Sequence, residues 1–139
     1  MNVEELTAAE KALLQAARSA QSRAYAPYSR FLVGAAVMDE AGRVHAGCNV
    51  ENAAYPLGDC AETGAISAMV LAGGRHIRSL LVMGDGEGLV TPCGGCRQKL
   101  REFASADTPV LVANREGVRA RFTLGQLLPA SFGPENLKT

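Results

Sequence analysis

The chain contains no tryptophan and no excess of either charge: 14 lysines and arginines balance 14 aspartates and glutamates over 139 residues, with no block of one sign. Binding by phosphate neutralisation needs a basic face, so a nucleic-acid partner is not expected. Aromatic residues make up only 5% of the chain and form no stacking series for a single strand. No apolar run approaches the ~20 residues that span a bilayer; the longest mostly apolar stretch is GAISAMVLAGG at 64–74. The opening MNVEELTAAEKALLQ is polar and helical in pattern, without the basic start, apolar middle and small-residue cleavage site of a secretory signal. These absences give the expectation of a soluble, cytoplasmic protein with no membrane partner. Histidine is scarce as well: His45 and His76 lack ligand spacing and read as surface residues. Cysteine is limited to Cys48, Cys60, Cys93 and Cys96, which in a reducing compartment read as ligands or nucleophiles more readily than as a disulfide framework.

What is present is a core. With 47% hydrophobic and 20% charged residues, the chain suits one compact domain over residues 1–139. Thr7-Ala8-Ala9-Glu10 is a capping box that opens a helix running to about Arg23. FLVGAAVM (31–38) and VHAGCNV (44–50) read as a strand hairpin. ENAAYPLGD is broken by Pro56 and Gly58, and a buried helix begins at or near Cys60. SLLVMGD (79–85) reads as a strand; Thr91 and Pro92 read as the cap and first position of a further helix, with Cys93 in its first turn. PVLVAN and VRARF form a second strand pair, and TLGQLLP a short helix. Helices interleaved with few strands predict an α/β sheet covered by helices, part antiparallel and part parallel.

The chemistry concentrates in TPCGGCRQ (91–98) and in Cys60-Ala61-Glu62. A Cys-x-x-Cys at a helix start suits a redox pair, but no thioredoxin-like βαβ unit precedes it. Two ordinary buried cysteines are a second option. In a third, Cys93 and Cys96 bite one ion while Cys60 approaches from a neighbouring helix end, leaving a fourth tetrahedral position. Cys48 could close that position and make the site structural. Glu62, two residues beyond a ligand, suits a different role, that of general base for a water polarised by the ion. A ligand-x-Glu followed by Pro-Cys-x-x-Cys is the signature of zinc deaminases.

The segments CNVENAAYPLGDCAE, TPCGGCRQ and LLPASFGPENL, in this order and at these separations, resemble the small homotetrameric cytidine deaminases of pyrimidine salvage, over nearly the whole chain. The resemblance implies a three-layer α/β/α fold with a mixed five-stranded sheet and one Zn2+ per subunit held by Cys60, Cys93 and Cys96. It also implies hydrolysis of cytidine and 2′-deoxycytidine to uridine and 2′-deoxyuridine with loss of ammonia, Glu62 carrying the proton. By the same resemblance Asn49 and Glu51 bind the ribose hydroxyls, Phe31 and Ala61 contact the nucleoside, and Phe132 completes a neighbouring subunit's pocket in a homotetramer. Tyr55 falls near that subunit boundary.

One departure stands out. The family commonly places Arg directly after the catalytic Glu, to offset the negative charge of three thiolates; here Thr63 occupies that position. Helix dipoles, helped by Arg97, are expected to compensate. Blasticidin-S deaminases share both zinc motifs and also lack that Arg, although the SFGPENL tail favours cytidine deaminase. Asp59 reads as a helix cap, and Arg119 and Arg121 as the solvated face of a strand.

Overall fold

The structure, a computed structural model, describes residues 5–138; the expectation of helix in the opening four residues lies outside them. The capping box forms as read: Glu10 N–H donates to the Thr7 hydroxyl and Thr7 N–H to the Glu10 carboxylate. It starts helix α1, Ala8–Gln21, whose Leu13, Leu14 and Ala17 are buried on one face. Strands β1 (Val33–Asp39) and β2 (Val44–Cys48) make the hairpin; α2 (Ala61–Leu71), β3 (Ile77–Gly84), α3 (Gly94–Arg101), β4 (Pro109–Asn114), β5 (Gly117–Thr123) and α4 (Leu124–Leu127) follow. The five strands stand in the order β2-β1-β3-β4-β5, with β3 and β4 parallel and every other pair antiparallel.

Alternation along each strand divides the core between two faces. Ala36, Leu81, Met83, Leu111 and Ala113 pack against Leu13, Leu14 and Ala17 of α1. Their sequence neighbours Ala35, Val37, Leu80, Val82 and Val110 pack on the other face against Ala61, Ala65 and Met69 of α2 and Leu100 of α3. The result is the three-layer α/β/α arrangement with a mixed five-stranded sheet.

This topology places the site. β2 and β3 flank β1 and both run antiparallel to it, so their C-terminal ends lie at the same end of the sheet, beside the start of β1. The chain leaves β2 to enter α2 and leaves β3 to enter α3, so both helices begin at that end. Gly47 sets how closely α2 seats: a Cβ there would lie 2.4 Å from Ala65 N and 2.5 Å from Ala61 O. Gly47→Ala is therefore expected to destabilise the fold by about 1–3 kcal/mol, the usual cost of overpacking. It should also weaken zinc binding, because the displaced turn carries Cys60. Urea unfolding and chelator competition check both effects against Gly88→Ala, where an added Cβ meets nothing within 4 Å.

Three expectations need correcting here. His45 is not a surface residue: its side chain is 10% exposed and its Nε2 lies 2.8 Å from Oδ2 of the fully buried Asp39. Asp39 also accepts the N–H groups of Ala41 and Arg43 and pairs with the Arg43 guanidinium at 2.9 Å. Strand alternation alone hid this, because the partner acid sits on the neighbouring strand, where the hairpin turns. Burial opposes the charge on Asp39, but the His45 and backbone hydrogen bonds and the Arg43 charge outweigh it and bring the carboxyl from 3.8 to about 2. A depressed folded pKa stabilises above the unfolded value and ceases to do so as pH falls through the folded one. The stability gap between wild type and Asp39→Asn should therefore be full at neutral pH and close between about pH 4 and pH 2, as measured by urea midpoints across that window.

The second correction concerns the helix start at Thr91-Pro92. The backbone stays extended through Cys93 (φ −67°, ψ 168°), which is itself the N-cap of α3. Asp59 likewise caps nothing; Cys60 is the N-cap of α2, while Asp59 exchanges backbone hydrogen bonds with Val50.

Candidate metal centre and cavity

Cys60 and Cys93 occupy equivalent places, each the N-cap of a helix and neither making a side-chain cap bond. Their sulfurs lie 3.9 Å apart, and Cys96, one turn into α3, brings a third. The three Sγ atoms all fall within 4.8 Å of one another, and all four cysteines are free thiols. Cys48, at the end of β2, is outside this cluster, which removes the four-cysteine structural site.

The donor set fits zinc. Three soft sulfurs at the positive ends of two helices suit a tetrahedral ion that would take its fourth ligand from outside the cluster. Without an ion they oppose one another's ionisation: burial, then the charges of Glu62 and Cys60, pushes the Cys96 thiol far above its ordinary value. Burial and the neighbouring charges also raise Cys60, whereas the Cys96 backbone N–H lowers Cys93. A divalent cation relieves this conflict, since thiolates rather than thiols bind it.

Glu62 follows in the first turn of α2 and is 4% exposed. Burial raises its pKa above the usual carboxylate range; its own backbone N–H, the charge of Lys99 and a hydrogen bond from Cys96 oppose the rise. The carboxylate is not a member of the sulfur cluster, which leaves it free to move a proton.

A cavity of about 300 Å³ opens beside this group, its lining including Cys60, Ala61, Glu62 and Cys93 together with Asn49, Val50 and Glu51, and with Val33, Val82 and Val90 among its apolar residues. Of the residues singled out from sequence, the cavity gathers Asn49, Glu51, Tyr55, Asp59, Cys60, Ala61, Glu62 and Cys93, with Cys96 buried in the adjoining cluster. Asn49 and Glu51 also do something the sequence did not reveal. Asn49 accepts from Val33 N–H and donates to Phe31 C=O, while Glu51 accepts from the N–H groups of Tyr28 and Ser29 and from the Ser29 hydroxyl. Together they hold the 25–33 segment against the cavity rim, and the Ser29 hydroxyl and N–H, followed by Tyr28 N–H, outweigh partial burial to lower the Glu51 pKa.

Phe31 and Phe132 do not line this cavity. Phe31 precedes β1 and is 40% exposed; Phe132 is 58% exposed, with its carbonyl held by Gln98. Tyr55 does line the cavity, and packs on Tyr28 with ring centroids 5.8 Å apart while remaining 74% exposed. Arg97, expected to help neutralise the thiolates, instead donates to Pro92 O, Leu127 O and the Thr91 hydroxyl, pinning the loop that carries Cys93. The cation that does face the ligand-bearing turns is one the sequence reading passed over: Lys99 donates to the Thr63 hydroxyl at 2.8 Å. Spacing signals it, because Lys99 follows Cys96 by three residues just as Thr63 follows Cys60 by three.

Residues 7–112 match the model of the cytidine and deoxycytidylate deaminase zinc-binding region. A cytidine deaminase of Sporosarcina psychrophila is 42% identical over 137 residues, covering 99% of this chain and 96% of that protein. The Mycobacterium tuberculosis cytidine deaminase is 44% identical over 122 residues, 87% of each chain. Among solved structures, the crystal structure of the Burkholderia pseudomallei cytidine deaminase superposes with a TM-score of 0.82 at 42% identity, covering 91% of this chain and 100% of that one. Among the described residues, no helix is long and apolar enough to cross a membrane.

Proposed function

Because this chain belongs to the family of zinc-binding cytidine and deoxycytidylate deaminases, we propose that it hydrolyses cytidine and 2′-deoxycytidine to uridine and 2′-deoxyuridine with release of ammonia, in pyrimidine salvage. The observation that carries this reading is the three-sulfur cluster with buried Glu62 beside it at the floor of one cavity.

Cys60, Cys93 and Cys96 would hold the Zn2+, and the ion supplies Lewis-acid polarisation of the attacking water. Glu62 accepts the proton of that water as its oxygen forms a bond to pyrimidine C4, and delivers it to N3. It then carries the next proton to the amino group; the C4–N bond breaks, ammonia leaves and C4 becomes a carbonyl. A carboxyl raised by burial is better suited than an exposed one to both halves of this cycle, taking a proton and then returning it. Ala61, the fully buried first residue of α2, lines the base end of the cavity. Asn49 and Glu51, which line the same cavity, would serve the sugar, Glu51 as an acceptor for ribose hydroxyls.

The exposed rings of Tyr55 and Phe132 support a homotetramer in which Phe132 reaches a neighbouring pocket and Phe31 is covered against the base. The chain's charge balance supports a free nucleoside over a polynucleotide as substrate. Ultraviolet absorbance of cytidine, 2′-deoxycytidine and blasticidin S, each incubated with zinc-loaded protein, tests the assignment. Loss of both cytidine bands with stoichiometric ammonia is expected; turnover of blasticidin S alone would contradict it.

A further inference from the structure

Three thiolates and a carboxylate at one helix junction concentrate negative charge, and a divalent ion cancels only part of it. Two cationic side chains follow Cys96 within one turn of α3, Arg97 and Lys99. Arg97 spends all its guanidinium nitrogens on two carbonyls and a hydroxyl. Lys99 crosses from α3 to α2, its Nζ 2.8 Å from the Thr63 hydroxyl, in a groove that Thr63 and Lys99 share with Ile66, Ser67 and Phe103. Thr63 is the residue after Glu62 and stands one turn from Cys60.

We propose that Lys99 is a positioning residue of the metal centre, joining the turn that bears Cys60 and Glu62 to the turn that bears Cys93 and Cys96 and supplying there the positive charge that the α2 helix itself lacks. The first helical turn of α2 contains no basic residue, only Thr63, whose short side chain bears a hydroxyl that a lysine from the adjacent helix reaches. The Lys99 stem is long enough to span the two helices while its ammonium stays at the partly exposed Thr63. This inference rests on the reading of the three cysteines as zinc ligands.

The test uses the full-length protein loaded with Co2+, whose thiolate-to-metal absorption bands report electron density on the sulfurs. A nearby cation stabilises the sulfur lone pairs, so Lys99→Met should move these bands to longer wavelength. In the zinc protein the same change should lower kcat roughly 10-fold or more, the usual cost of losing a residue that supports a metal ligand, with KM little changed. Lys99→Arg should retain the wild-type bands, and adding Thr63→Arg to Lys99→Met should recover them by returning the charge from α2. Bands and kcat unmoved in Lys99→Met would overturn the proposal, as would equal losses in Lys99→Met and Lys99→Arg. Absence of thiolate bands in the wild-type cobalt protein would instead overturn the ligand reading and take this inference with it.

Discussion

Glu62→Gln should lower kcat by about 10³–10⁴-fold while zinc content and fold stay as in wild type, the loss expected when a general acid-base group is removed. The carboxyl is 4% exposed at the first turn of α2, so a side chain of equal size is needed to keep the packing. Glutamine provides that, but it cannot accept the proton of the attacking water or return one to N3 and the departing amine. Burial raises the carboxyl's pKa, and its own backbone N–H and then the Lys99 charge limit the rise. Steady-state kinetics with cytidine, paired with zinc analysis, measures the effect. A variant that kept a tenth of wild-type kcat would place the proton carrier on another residue.

Cys96→Ser is expected to be as severe for a different reason. Cys96 is 1% exposed, the most enclosed of the three cysteines, and its sulfur lies within 4.8 Å of the other two. A hydroxyl there is a harder and far less acidic donor, so two thiolates remain to hold an ion that needs three protein ligands. Zinc per chain after dialysis should fall well below one and activity should drop to background. Because a metal that binds only the folded state stabilises it by mass action, chelation should lower the wild-type Tm but leave that of the variant unmoved. Cys48→Ser, which changes a cysteine outside the cluster, should keep its zinc and its activity.

The sequence made the ligand set legible because metal chemistry leaves a local mark: Cys-x-x-Cys at one helix start and Cys-x-Glu at another. The element order was legible for a similar reason, since apolar runs of strand length and a capping box are local signals. That Cys60 and Cys93 meet was not a local fact. It follows from β2 and β3 running in the same direction on either side of β1. The α3 start was misread because a proline suits the first helical position, whereas here Pro92 remains in the extended approach and Cys93 turns the chain. His45 and Lys99 escaped because each acts through a partner distant in sequence or on another element, Asp39 across a hairpin and Thr63 across two helices. Asn49 and Glu51 stood out only through the family resemblance, as ribose contacts, and their grip on the 25–33 segment depends on backbone groups that no side-chain pattern reveals.

The account stands on an ion held by three cysteines with one position left for chemistry. X-ray absorption at the zinc edge of the purified protein measures this directly. Three sulfur scatterers per zinc at about 2.3 Å are predicted, falling to two in Cys96→Ser protein reloaded with excess zinc. Four sulfurs per zinc in the wild type would contradict the account, because a site closed by Cys48 has no room for the water that Glu62 serves.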